Sequence, residues 1–371
     1  MKNLILKICS ILLLLLLSLT VISCNKEKEP TIEVVPTEEA AKTPEVMVDE
    51  IFEVHTESQK EYLAGDYRYI SLYAKGVEEL SKPNPVKLTW NIEGISNDIS
   101  YKVYLSEDNF KTQKEYVVNT NSIELINLKI NTPYFWYVEA NDIKTSVKTF
   151  KIDAIAPRNL NIEGLTNARD LGGYLIRENK YSNQGLIYRS SRLNENETTT
   201  NLITEAGIKE MLEVLNIKSE LDIRRVDNNE NGGITSSPLG ETVKYYSIPM
   251  SSGGNCILLN KEVLKDVFAV LGDEKNYPVV IHCSIGTDRT GAICFLINAL
   301  LGVSEEDLYR DYLFSNFGEI GKGRTPSAID TYLINVGTAQ GNTLAEKTYN
   351  YLVSLGVKEK DLNNLIKIMT E

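Results

Sequence analysis

His282-Cys283-Ser284-Ile285-Gly286-Thr287-Asp288-Arg289-Thr290-Gly291 follows the short β-branched run Tyr277-Pro278-Val279-Val280-Ile281-His282. It leads into Thr290 to Leu301, whose apolar residues recur at helical spacing until Gly302. The pattern predicts a buried strand, a short loop and a helix start. Such a loop can turn successive backbone N–H groups inward. The helix adds its own unpaired N–H groups and the positive end of its dipole, and the Arg289 fork can grip two oxygens of a dianion. These residues therefore read as a trap for phosphate with a nucleophile at its floor. The same field lowers the pKa of Cys283, and the thiolate is the attacking species that an ordinary thiol is not.

Outward from the loop, Gly185 to Ser190, Lys218 to Ile223 and Val243 to Ile248 predict strands, and Thr198 to Leu215 predicts a helix. Helix signals dominate after the loop. Ser304-Glu305-Glu306-Asp307 and Thr343-Leu344-Ala345-Glu346 have the form of N-caps, the second a capping box, and Gly356 that of a helix stop. Strands alternating with helices predict an α/β layer with a central, mostly parallel sheet over residues 157–371. The loop then lies at a strand's C-terminal end, where such sheets bind ligands.

Upstream the periodicity changes. Over residues 61–153 the runs Val86 to Trp90, Tyr101 to Leu105, Tyr134 to Val138 and Val147 to Phe150 alternate with period two between turn residues, which predicts an all-β sandwich. Residues 25–60 are rich in Glu, Lys, Pro and Thr with few aromatics, and are expected to form a flexible acidic linker. Residues 1–24 read as an export signal: Lys2 and Lys7 lead, Ile11 to Leu17 is apolar, and Val21-Ile22-Ser23-Cys24 ends it. No internal repeat is evident.

Composition narrows the function. A formal charge of -12 and a pI near 5.0 exclude a nucleic-acid binder, so any attraction for phosphate must be local. Of the five cysteines, Cys9 and Cys24 lie in the signal, leaving Cys256, Cys283 and Cys294, too few for a disulfide framework. Cys294 falls in the helical pattern and is expected in the core, whereas the pattern around Cys256 suits either an exposed thiol or a core residue. The two histidines are His55 and His282. His282 is the neighbour of Cys283 along a strand end and points away from it, so a Cys-His protease lacks a base in this half. With so few histidines and no cysteine cluster, neither zinc nor another cofactor is expected.

Five residues separate Cys283 from Arg289, a spacing that resembles the Cys-x5-Arg loop of protein tyrosine phosphatases and their dual-specificity and lipid-phosphatase relatives. A rhodanese-type sulfurtransferase also places a cysteine in an anion loop, but its loop is usually one residue shorter and need not continue into Arg-Thr-Gly. Three further segments strengthen the likeness: Asn167-Ala168-Arg169-Asp170-Leu171-Gly172-Gly173-Tyr174, Gly185-Leu186-Ile187-Tyr188-Arg189-Ser190-Ser191 and Leu221-Asp222-Ile223-Arg224. Together with the loop they resemble the atypical bacterial tyrosine phosphatase family over residues 157–371. The segment before it resembles a fibronectin type III domain, with Trp90 as core indole and Leu128 to Tyr134 as a tyrosine corner. Such modules space or bind, so an unknown ligand of the sandwich is one expected partner. Cys24 resembles the lipidated cysteine of bacterial lipoproteins, which implies an exported protein held to a membrane on the periplasmic face or at the cell surface.

The resemblance assigns roles. Cys283 is the nucleophile, Arg289 binds the phosphoryl oxygens, and Asp288 is the general acid, with Asp222, Asp227 or Asp311 as alternatives. Ser284, Ile285, Gly286, Thr287 and Thr290 line the phosphate seat, and Thr290 also donates to the thiolate as leaving group. His282 buttresses the loop, while Arg169, Asp170, Asp222 and Arg224, with Arg189, brace it. The family's usual lysine is Thr287 here. On that reading the loss of a cation weakens the case for phosphoinositides and favours a phosphotyrosine-type monoester. The expected function is a cysteine-dependent phosphomonoester hydrolase acting on phosphotyrosine proteins, with phosphoinositide or inositol phosphate as the alternative substrate. A surface protein that only binds phosphorylated ligands is the competing class.

Overall fold

A computed structural model describes residues 47–371 apart from 94–98, 195–201, 227–229 and 231. The export signal with Cys24, most of the expected linker, and Asp227 lie outside the described residues. Glu50–Phe52 (β1), Val86–Thr89 (β2), Tyr101–Ser106 (β3), Lys114–Val118 (β4), Ser122–Leu125 (β5), Pro133–Ala140 (β6), Ile143–Lys144 (β7) and Lys148–Ile152 (β8) build two sheets. One runs β1-β8-β6-β3-β4 with β7 added onto β6, and the other is β2-β5. Period two makes this sandwich: Val86 and Leu88 on β2 and Val103 and Leu105 on β3 face inward while Lys87, Thr89 and Lys102 face out. Trp90 meets Tyr101 edge-on at 5.5 Å and Trp136 at 6.5 Å in that core. The Tyr134 hydroxyl accepts from the Lys129 N–H at 2.7 Å, the bond that defines a tyrosine corner.

The expected boundary at residue 60 moves. β1 pairs parallel with β8, so residues 50–52 extend the sandwich. Glu57–Ala64 (α1) then forms a helix, with Gln59 Oε1 accepting from the Thr56 N–H at 3.0 Å. Tyr62, Leu63, Ile70 and Ala74 are buried in the core of the C-terminal half, not in the sandwich. Tyr62 lies 6.4 Å from the Phe314 ring and 5.8 Å from the Phe317 ring. The rest of this strap adds main-chain bonds: Gly76 N–H to Asn316 O at 2.8 Å, Leu80 N–H to Phe317 O at 2.6 Å and Ile320 N–H to Gly76 O at 3.0 Å. Residues 61–80, expected in the sandwich, carry too few apolar groups to make a core of their own. Here they complete another one.

The C-terminal half follows the expected α/β plan. Arg169–Asp170 (β9), Ile187–Ser190 (β10), Ser219–Asp222 (β11), Lys244–Ser247 (β12) and Val279–His282 (β13) order as β12-β11-β13-β10-β9. The first four are parallel and β9 is antiparallel at one edge. Glu205–Lys209 (α2), Cys256–Leu259 (α3), Leu264–Leu271 (α4), Asp288–Leu301 (α5), Glu305–Phe314 (α6), Ser327–Gly337 (α7), Leu344–Ser354 (α8) and Glu359–Thr370 (α9) complete it. α2 starts later than expected: Thr204 caps it, accepting from the Gly207 N–H, and it runs on through a π turn over Glu210–Val214.

Both faces of the sheet are covered. Ile187, Leu221, Val279 and Ile281 pack toward α5, and Tyr188 and Val280 pack toward Met211 and Leu215. α5 is buried on every side from Arg289 to Leu301, which explains its all-round apolar sequence. Ser304 caps α6 as expected. Thr343 caps α8, but Glu346 accepts from Asn342, one residue ahead of the cap, so the expected capping box is not closed. Among the described residues no helix is long and apolar enough to cross a membrane.

Candidate active site

Residues 283–287 turn from the C-terminal end of β13 into α5. Gly286 has φ +68°, and a Cβ there would stand 2.2 Å from Ser190 O, so only glycine closes this turn. Three carbonyls of the loop are drawn outward: Ser284 O by the Arg192 N–H at 3.1 Å, Ile285 O by Asn167 Nδ2 at 3.2 Å, and Gly286 O by Asn167 Nδ2 at 3.1 Å and Arg189 Nη2 at 2.7 Å. In a trans peptide the following N–H points the opposite way. Residues 285–287 thus aim their amides into the loop, an anion nest at a helix N-terminus.

Cys283 lies at the floor, 2% exposed. Burial alone pushes its pKa up. The Arg289 charge and the hydroxyl and N–H of Thr290 outweigh burial against some repulsion from Asp288, and the thiol sits below its ordinary value. Thr290 Oγ1 is buried and forms no regular hydrogen bond, so its effect on the sulfur is a dipolar contact. Cys294 is buried inside α5, as expected, and burial pushes it up to about 11. Cys256 is also a core residue, its Sγ donating to Gly253 O at 3.1 Å, and burial raises it as well.

Two acidic and basic partners of the loop carried no sequence signal. Glu230 takes the fork of Arg289, with Nη1 to Oε2 at 2.6 Å and Nη2 to Oε1 at 3.2 Å, while Met250 O and Ser284 Oγ each accept at 3.2 Å. Arg324 grips Asp288, with Nε to Oδ1 at 2.7 Å and Nη2 to Oδ2 at 2.8 Å, and the Tyr312 hydroxyl adds a bond at 3.1 Å. Burial works to raise the Asp288 pKa, but the Arg324 pairing and charge outweigh it and hold the carboxyl low.

Around the loop the expected braces divide. Asp311 holds Arg169 at 3.0 Å, Arg189 at 2.6 Å and the Tyr174 hydroxyl at 3.2 Å. Arg169 bonds Asn167 and Arg189 bonds the loop itself, through Gly286 O. Burial opposes ionisation of Asp311, yet the two arginines keep it low, and it is spent as their counter-ion instead of serving as an acid. Asp170 departs from expectation. It pairs with Arg158 at 2.7 Å and accepts from Gly172 and Gly185, on the side of the sheet facing the sandwich.

Asp222 is clamped by Arg224 Nε at 2.9 Å and Nη2 at 2.7 Å and by the Tyr245 hydroxyl at 2.8 Å. Burial raises its pKa, but His282 and Arg224 bring it down to about 2, which removes it as a proton donor. His282 bonds Glu220 at 2.8 Å with one nitrogen, while the other lies 3.3 Å from Cys283 O. Burial disfavours its charge, and the two carboxylates reverse that and raise its pKa. Donor atoms of Glu220, Asp222 and His282 lie within 4.8 Å of one another, a spacing suited to an ion. Arg224, Tyr245 and the histidine already engage them, with Glu220 Oε2 left over.

Thr287 corrects the expected seat. It is fully buried, its hydroxyl accepting from Asn167 Nδ2 at 3.2 Å and donating to Ile285 O at 3.3 Å. The side chain belongs to the scaffold behind the loop and only the backbone of residue 287 faces inward. The argument from a missing lysine at this position against highly charged substrates therefore falls.

Comparison with known proteins agrees with the loop chemistry. The model of the tyrosine phosphatase family matches residues 160–371. A protein of Cupriavidus necator provisionally named a tyrosine-protein phosphatase is 25% identical over 183 residues, 43% of this chain and 63% of that one. A protein of Meyerozyma guilliermondii with a similar provisional name is 29% identical over 94 residues, 24% of this chain and 50% of that one. The chain thus spans 63% and 50% of the lengths of these two relatives. Among solved structures, the core catalytic domain of the PP-IP phosphatase Siw14 from S. cerevisiae is similar at 22% identity and a TM-score of 0.30, covering 44% of this chain and 85% of that one.

Proposed function

The chain belongs to the tyrosine phosphatase family, and from that membership we propose that it is a cysteine-dependent phosphomonoester hydrolase whose leading substrate is a phosphotyrosine-type aryl ester. One observation carries this reading: Cys283 lies at the floor of an amide nest, lowered in pKa by Arg289. The Cys283 thiolate attacks phosphorus in line, the loop amides and Arg289 hold the three equatorial oxygens, and the bond to the leaving oxygen breaks. Asp288 shares a proton with that oxygen only from the small fraction that is protonated against its pairing with Arg324. Water then attacks the phosphocysteine, and the sulfur departs as thiolate beside Thr290.

A phosphoinositide or inositol phosphate is the second reading, kept open because the buried Thr287 side chain no longer argues against a highly charged substrate. Ahead of the catalytic half, the sandwich resembles a fibronectin type III module acting as a spacer or ligand binder. We also propose export and membrane attachment through lipid on Cys24, on the sequence of residues 1–24. Hydrolysis of a generic aryl phosphate by the full chain in chelator, against a Cys283→Ser variant, tests the enzyme reading. Activity in the first and none in the second is expected, and equal rates would leave only a phospho-ligand binder. A panel of phosphotyrosine peptide, phosphoserine peptide and phosphoinositide then ranks the substrates.

A further inference from the structure

We propose that Arg324 is a positioning residue that holds Asp288 as a carboxylate and so restricts this site to esters whose leaving oxygen departs without a full proton, aryl esters first. The inference deepens the hydrolase reading and rests on it.

Arg324 is built into its place. Asn316, 1% exposed, clasps its backbone from both sides, accepting from the Arg324 N–H at 2.5 Å and donating to Arg324 O at 3.0 Å. Nη1 donates to Lys322 O at 2.7 Å, which leaves Nε and Nη2 aimed at the two Asp288 oxygens. Asn316 is in turn fixed by the strap, since its carbonyl accepts from Gly76. A guanidinium held this way is a planar fork matched to a carboxylate, and the pairing is lost when the acid takes a proton.

The groups that face Asp288 come from four helices, the loop and one turn. Arg324 approaches from the turn before α7, Tyr312 from α6, Arg289 from α5 itself, Cys283 from the loop, Cys256 from α3 and Tyr332 from α7. The thiolate of Cys283 opposes the carboxylate, whereas Arg324, Tyr312 and Arg289 support it. Arg324 makes two of the three direct bonds, so its removal has the largest effect on the proton. Phenols leave at a pKa of about 10, where partial proton transfer suffices; alkoxides demand far more help.

The test measures kcat/KM against pH for aryl phosphates whose phenols span acidic to weakly acidic, in the full chain, Arg324→Gln and Arg324→Lys. Activity that needs protonated Asp288 declines as pH rises through its pKa. Arg324→Gln is expected to move that limb upward by about one pH unit, and to favour the poorest leaving group over the best by about tenfold relative to the unaltered chain. Arg324→Lys, which keeps the charge, should fall between. In an Asp288→Asn background Arg324→Gln should shift nothing. An unmoved limb, or the same shift without the carboxylate, would overturn the role of Arg324. An unaltered chain no more active than Cys283→Ser would instead overturn the hydrolase reading.

Discussion

One amide nitrogen of Asn167 donates to Gly286 O at 3.1 Å, and the same group reaches Ile285 O and the Thr287 hydroxyl. Asn167 itself has φ +59° and is fully buried, a left-handed conformation that asparagine tolerates better than most residues. The curl of the phosphate loop is therefore set by a residue outside it. Asn167→Gly keeps the backbone conformation and deletes the three contacts. Steady-state kinetics on an aryl phosphate should show kcat/KM lower by roughly 10–100-fold, the usual consequence of losing a group that orients a site. An unchanged value would mean the loop holds its shape alone.

Alkylation of Cys283 against pH reports its ionisation directly. The thiolate should form below the ordinary cysteine value of about 8.5, and Arg289→Ala should shift the curve to higher pH, because burial then goes unopposed by the nearest charge. A curve that stays in place in the variant would separate Arg289 from the activation of the sulfur.

Thr287→Lys restores the residue usual in the family but sends it into a closed space behind the loop. Loss of about 1–3 kcal/mol of stability is expected, seen as a lower midpoint in denaturant, with turnover of phosphotyrosine peptide and phosphoinositide falling together. A selective gain on the lipid would show that the lysine finds its way to the mouth of the pocket.

Tyr62 tests the strap. Tyr62→Ala removes a fully buried ring packed against both Phe314 and Phe317, a loss of about 3–5 kcal/mol, and α6 carries Asp311, the anchor of both bracing arginines. Thermal unfolding should come at lower temperature, and activity at a permissive temperature should fall with it. A variant of unchanged stability would show that the strap adds nothing to this core.

The loop, its strand and its helix were legible because they obey local rules: a β-branched run, a glycine that a tight turn demands, and apolar residues at helical spacing. Trp90 and Tyr134 were placed through the resemblance of their segment to a fibronectin type III domain. Glu230 and Arg324 were not legible, since ion pairs spanning 59 and 36 residues leave no periodicity to read. Asn167 stood in a quoted motif without a role, and Asp170 turned to the sandwich because it faces the opposite way from Arg169, its neighbour on β9. The turn of the Thr287 side chain away from the phosphate seat depends on Asn167, a partner that only the fold supplies.

A bond from the Tyr62 hydroxyl to Arg310 O, 3.5 Å long, joins positions 248 apart in the chain, with every strand of the sandwich except β1 lying between them. During synthesis Tyr62, Leu63 and Ile70 emerge early and must wait, their apolar faces wet, until α6 has been made. Cutting the gene at residue 157 to isolate the hydrolase would leave that wait permanent and a hole where the ring belongs. The smallest transplantable enzyme accordingly begins near residue 50 and carries the sandwich as cargo.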